Sequence, residues 1–136
     1  MWAYIAFLSL LVSYTSGATT VVEGKVGTRV TLDLGKKVRT WMRETKDGYL
    51  EAARYCDPGT TAPECSRFVN VMTNVPTPTP SEVLVYPNGT LIFVNLTESD
   101  GEAKYYSPEI RPKVVKYKND TTWTVLPPQI YLKLAK

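Results

Sequence analysis

Histidine is missing altogether from the 136 residues. Its absence removes Ser-His-Asp and Cys-His nucleophilic catalysis, together with the commonest zinc ligand. Cysteine occurs only twice, too few for a thiolate metal cluster or a disulfide-dense knot. No glycine-rich phosphate loop is present. No apolar run reaches the roughly twenty residues needed to span a bilayer. Net charge is small, at +3, and does not by itself mark a nucleic-acid binder. The acidic residues Glu98, Asp100 and Glu102 fall in one turn, where carboxylates are ordinarily solvated, and glycoside hydrolysis by paired carboxylates usually needs a larger scaffold. No catalytic residue, cofactor or metal is therefore expected. A content of 43% hydrophobic and 21% charged residues excludes wholesale disorder, and the length supports one core rather than two.

The beginning of the chain reads as an export signal. Met1 to Gly17 carries no charged side chain, and Trp2 to Val12 is almost unbroken apolar sequence followed by small and polar residues. Thr15 and Gly17 suit the −3 and −1 sites of a cleavage before Ala18, and Ser16 and Ala18 would place it one residue later. The expected organisation is a signal peptide over 1–17 and one domain over 18–136, secreted and extracellular, with no stable membrane insertion. Three acceptor sequons, at Asn88, Asn95 and Asn119, agree with that compartment. In an oxidising environment Cys56 and Cys65 pair by default. They bracket Asp-Pro-Gly-Thr-Thr-Ala-Pro-Glu, and closing so short a ring stabilises by about 2–3 kcal/mol.

Beyond residue 20 the chain is a succession of short strand patterns. Val30, Leu32 and Leu34 alternate with polar residues, the period-two signature of a half-buried strand. Val38 to Arg43 sets Val38, Thr40 and Met42 on one face and Trp41 on the other. Gly48 to Tyr55 is ambiguous between a strand and a short helix, and Arg67 to Met72 is a further strand. Val-Pro-Thr-Pro-Thr-Pro (75–80) forbids a central strand and reads as loop or edge. Glu82 to Tyr86 and Thr90 to Leu96 flank Pro87-Asn88-Gly89, a hairpin turn in which proline fixes one angle and Asn-Gly accepts positive φ. Lys113 to Tyr117 and Thr122 to Leu126 form a second hairpin around 118–121. Ile130, Leu132 and Leu134 alternate in a closing strand. Seven or so short strands separated by turns imply an all-β, two-sheet antiparallel sandwich.

Several of these segments resemble the immunoglobulin superfamily, in its variable-like or intermediate-set form. Gly27-Thr-Arg-Val-Thr-Leu-Asp-Leu34 is similar to the second strand, with Leu34 at the cysteine position, and Trp41 resembles the third-strand tryptophan. The run from Asn88 through Asp100 to Tyr105 is similar to the segment carrying the tyrosine corner. Ile130-Tyr-Leu-Lys-Leu resembles the last strand. The chain departs from the pattern in having no cysteine at either inter-sheet position. Leu34 lies close to Trp41, and Tyr105 comes one residue late. The resemblance implies an immunoglobulin-like β-sandwich in which apolar packing at Leu34, worth about 1.5–3 kcal/mol, stands where a bridge would be.

A sandwich of this kind implies a non-catalytic binding module that recognises an extracellular or cell-surface protein. The segment 107–128 lies where the final hairpin loop of the family would be. It carries Arg111, Lys113, Lys116, Tyr117, Lys118 and Trp123, side chains of the types that interfaces use. Two alternatives stay open. Residues 103–136 hold seven basic and two acidic side chains, a net of +5, which suits an acidic glycan. A carrier of a small apolar ligand would show similar strand patterning but needs a cavity of hundreds of cubic ångströms.

Overall fold

Alternation of buried and exposed residues sets the strand over 30–32, and a local hydrogen bond with a glycine ends it. Val30 and Leu32 point inward along β2 (Val30–Leu32). The strand stops there because the Asp33 carboxylate accepts the Gly35 N–H at 2.9 Å and Gly35 turns to φ +117°, a conformation that suits glycine. The computed structural model describes residues 19–76, 81–116 and 122–136. The strands around β2 are β1 (Thr19–Gly24), β3 (Thr40–Glu44), β4 (Leu50–Arg54), β5 (Val69–Asn70), β6 (Val83–Val85), β7 (Leu91–Phe93), β8 (Ala103–Tyr106), β9 (Lys113–Lys116), β10 (Thr122–Val125) and β11 (Gln129–Leu134). Single 3-10 turns occupy Pro63–Cys65 and Glu98–Asp100.

One sheet runs in the order β1-β11-β8-β3-β4-β5, the other β2-β7-β6, and among the described residues β9 pairs with β10 alone. All the pairings are antiparallel except β1 against β11. With β2 as the second strand of the immunoglobulin-like pattern, β11-β8-β3-β4-β5 follows the order of a five-stranded face, while β1 lies beside β11 and leaves three strands in the other sheet. Among the described residues no helix is long and apolar enough to cross a membrane. The ambiguous stretch 48–55 is a strand, because Glu51 and Ala53 face inward while Ala52 and Arg54 face out. The stretch 19–24, which shows no alternation, is also a strand, held by its pairing with β11.

Between the sheets lie Leu32, Val38, Trp41, Phe68, Val83, Leu91, Phe93, Tyr105 and Leu132, all essentially inaccessible. Phe68, Phe93 and Tyr105 meet ring to ring, with centroids 5.6–6.3 Å apart. Trp41 and Tyr105 thus share one core, as the resemblance implies. Leu34 does not hold the central place given to it: β2 has already ended, and Leu34 packs against the core from its margin while Leu32 is buried within it.

The tyrosine corner is present. The Tyr105 hydroxyl donates to the Asp100 carbonyl at 2.6 Å, a bond back to the backbone a few residues upstream. The extra residue before Tyr105 is absorbed by Glu102, which adopts φ +57°. Asp100 corrects the expectation of a solvated turn carboxylate, since it is wholly buried. Its oxygens accept from Arg43 Nη1 at 2.8 Å, Ser81 Oγ at 2.5 Å, and the Thr97 N–H and hydroxyl at 2.9 Å each. Arg43 also donates through Nε to Glu51 at 2.6 Å, and its guanidinium lies 4.2 Å from the Phe68 ring centroid. Burial opposes the charge on Arg43, but Tyr105, Glu51 and Asp100 outweigh it and hold the pKa above its ordinary value. Burial raises the Tyr105 phenol well above its usual range.

Candidate binding surface

The chain between β8 and β11 leaves the sandwich as an insert, and the acidic residue at its base explains how it is fixed. Glu109 Oε1 accepts the backbone N–H of Arg39 at 2.6 Å and of Thr40 at 2.8 Å, and the Ser107 hydroxyl at 2.9 Å. Partial burial would raise this carboxyl, but those backbone donors, with the Ser107 and Thr40 hydroxyls, hold it below its ordinary value. Ile110 then packs against the core. Beyond this anchor the chain turns outward: Arg111, Lys113 and Val114 are exposed, as are Val125 and Leu126 on the return.

In the β9–β10 hairpin, Lys113 lies opposite Val125, Val114 opposite Thr124, Val115 opposite Trp123, and Lys116 opposite Thr122. Tyr117, Lys118 and Asn119 lie outside the described residues. Ion pairs join Arg43 to Glu51 and Asp100, and Arg54 to Glu64; among the described residues neither Arg111 nor Lys113 has an acidic partner.

The same end of the sandwich gathers other connections. The Arg39 guanidinium lies over the Tyr55 ring at 5.5 Å, and the Tyr55 N–H donates to the Arg39 carbonyl at 2.7 Å. Directly after Tyr55, Cys56 is bonded to Cys65 (S–S 1.94 Å). The bridge closes the connection leading from β4 toward β5, and it uses both cysteines of the chain. The 86–90 turn also belongs to this end, where Gly89 meets the Gly35 backbone. Its sequon residue Asn88 is exposed, with its side-chain oxygen accepting the Thr90 N–H at 3.1 Å. Asn95, exposed as well, stands beyond β7 at the opposite end.

A groove of about 400 Å³ opens beside the disulfide loop, lined in part by Thr40, Ala52, Arg54, Glu64 and Asn70. It lies on the outer side of the sheet, whereas the space between the sheets is taken up by core side chains. Two residues that matter here escape a reading of the sequence. Glu109 looks like any loop acid, and its only signal is the Ser-Pro-Glu spacing that lets Ser107 reach it. Arg43 sits on the inward parity of Trp41, a position where a charged residue announces a buried partner.

No family model and no curated protein matches the sequence. Among solved structures, the four N-terminal immunoglobulin domains of Dscam1 isoform 7.44 show a likeness with 15% identity and a TM-score of 0.39. It extends over 90% of this chain and 26% of that one, so the present chain spans about a quarter of that structure's length. Strand order and the tyrosine corner, rather than this likeness, define the fold.

Proposed function

We propose that the chain is an exported, glycosylated, non-catalytic binding module that recognises an extracellular or cell-surface protein through the 107–128 insert. One observation carries the reading: among the described residues the β9–β10 hairpin pairs with no other strand, while its base is fastened to the sandwich by Glu109. An isolated two-stranded hairpin is marginal in water, and one mounted on a rigid frame is suited to contact. Arg111, Lys113, Lys116, Tyr117, Lys118 and Trp123 supply the contact side chains in this reading. Leader removal after Gly17, export, and glycans at Asn88, Asn95 and Asn119 belong to the same proposal. The test is capture of a cell-surface protein by the glycosylated chain, with Lys113→Glu or Trp123→Ala abolishing capture and leaving the circular dichroism spectrum unchanged. Capture that survives both changes would sink the proposal.

The basic side chains Arg111 and Lys113, without acidic partners among the described residues, favour a second reading, in which the insert binds an acidic glycan. Heparin retention lost on mutating Lys113, Lys116 and Lys118 together supports that alternative, and retention indifferent to them removes it.

A further inference from the structure

We infer that β1 is a self-pairing edge, through which two copies of this chain join their six-stranded sheets by antiparallel β1–β1 hydrogen bonds. A free strand edge offers unpaired N–H and C=O groups, and proteins ordinarily blunt such edges by shortness, lysine, proline, bulges or cover. The other outer edges of the two sheets are treated in this way. β2 and β6 are three residues long, and the Val83 N–H at the start of β6 is taken by the Ser66 carbonyl at 2.8 Å. β5 has two residues and is covered by the turn that brings Pro76 against Val69 and the Val75 carbonyl to the Asn70 N–H. β1 has none of these devices among the described residues. It is six residues long, Thr-Thr-Val-Val-Glu-Gly, with neither lysine nor proline, and β11 is its one neighbour in the sheet.

Backbone direction sets the register. The Gly24 carbonyl accepts the Ala135 N–H at 2.7 Å, so Gly24, and by ladder alternation Val22 and Thr20, turn their backbone groups toward β11. Thr19, Val21 and Glu23 turn theirs away. A two-fold axis at Val21 then places Val21 against Val21 and Thr19 against Glu23 twice, which gives about six new hydrogen bonds. Charge agrees with this arrangement. The two Glu23 carboxylates face threonines rather than each other, and each stands in register with Lys133 of its own chain. Val21, 58% exposed, lies in register with Tyr131, so the axis continues an apolar row from one sheet into the next. The inner side of β1 is already committed, because Val22 packs against the core. A second copy is the occupant that meets all three conditions: matching backbone parity, matching length, and separated like charges.

Sedimentation of the secreted chain is expected to show a monomer–dimer equilibrium. Val21→Pro removes an outward N–H while sparing the β11 ladder, and is expected to weaken association at least about tenfold with an unchanged circular dichroism spectrum. Val21→Cys brings two cysteines to a Cα separation of about 5.5 Å, inside the bridging range of about 4.4–6.8 Å, and should oxidise to a covalent dimer. Thr20→Cys, which has the wrong parity, should not. A chain that stays monomeric up to about millimolar concentration overturns the inference. So does a dimer indifferent to Val21→Pro that forms no Val21→Cys bridge, or a β1 edge that takes up a foreign extended peptide without self-association.

Discussion

The indole N–H of Trp41 donates to the carbonyl of Gly89 at 3.0 Å, inside the sandwich. β3 of the larger sheet is thereby joined to the β6–β7 turn of the smaller one. The same glycine holds φ +93°, and a Cβ there would stand 2.1 Å from the Gly35 carbonyl oxygen. Gly89→Ala is expected to cost at least about 2 kcal/mol, read as a lowered urea midpoint by tryptophan fluorescence. The substitution keeps the Asn-X-Thr pattern, so the loss reports on the fold. An unchanged midpoint would show that the turn can move away from Gly35.

Arg43 is a charge inside the core with two carboxylate partners and the Tyr105 hydroxyl, the last at 3.1 Å. Removing one member of such a cluster strands the others, at a cost of about 3–5 kcal/mol. Arg43→Met should therefore unfold at markedly lower denaturant, and a loss below about 1 kcal/mol would mean that water or rearrangement satisfies Glu51 and Asp100.

Tyr105 makes a pH prediction with a definite sign. Its folded pKa is raised by burial, so its contribution to stability is complete below the ordinary tyrosine value of about 10 and is lost as pH climbs toward the folded value. In a spectrophotometric titration this phenol should ionise last, together with alkaline unfolding. Tyr105→Phe should delete that late step and cost about 1–3 kcal/mol at neutral pH, through the unpaired Asp100 carbonyl.

Glu109 predicts the opposite dependence. Its carboxyl is lowered, so the support it gives the insert is complete above the ordinary carboxylate value and is lost as pH falls through the folded one. The protection of the Arg39 and Thr40 amides, taken against the intrinsic exchange rate at each pH, should fall in acid and should already be lost at neutral pH in Glu109→Ala. Slow exchange in that variant would show that the hairpin base is held by other contacts.

Breaking the Cys56–Cys65 bridge with paired alanines should cost about 2–3 kcal/mol and leave both sheets assembled, because the loop it closes is a local excursion between β4 and β5. Thermal unfolding with retained near-ultraviolet dichroism checks this. Loss of the tertiary signal at low temperature would mean that the bridge organises the core.

Local patterning made the strands legible where one face is buried and the other wet: β2, β6 and β11 alternate, and the Pro-Asn-Gly turn sits where its chemistry requires, whereas β4 reads equally as a short helix and β8 is not marked as a strand by its pattern. It misled where a strand is held by its neighbour alone. β1 has little alternation because its first residues are exposed on both faces, and its existence depends on β11. Leu34 kept the period of its strand, yet Asp33 and Gly35 had already turned the chain. Asp100 looked solvated because a buried carboxylate is recognised only by its partners, and Arg43 is 57 residues away in sequence. At the insert, residue types were visible but the anchor was not, since the Glu109 bonds to Arg39 and Thr40 span 69–70 positions.

The parallel run of β1 beside β11 has a mechanical corollary. Thr19 pairs with Gln129 and Gly24 with Leu134, so the start of the first strand and the end of the last lie at opposite poles. Tension applied between them loads the whole ladder sideways, bond beside bond, and cannot peel it open one rung at a time. The seam should yield abruptly at high force, as a lap joint does under load.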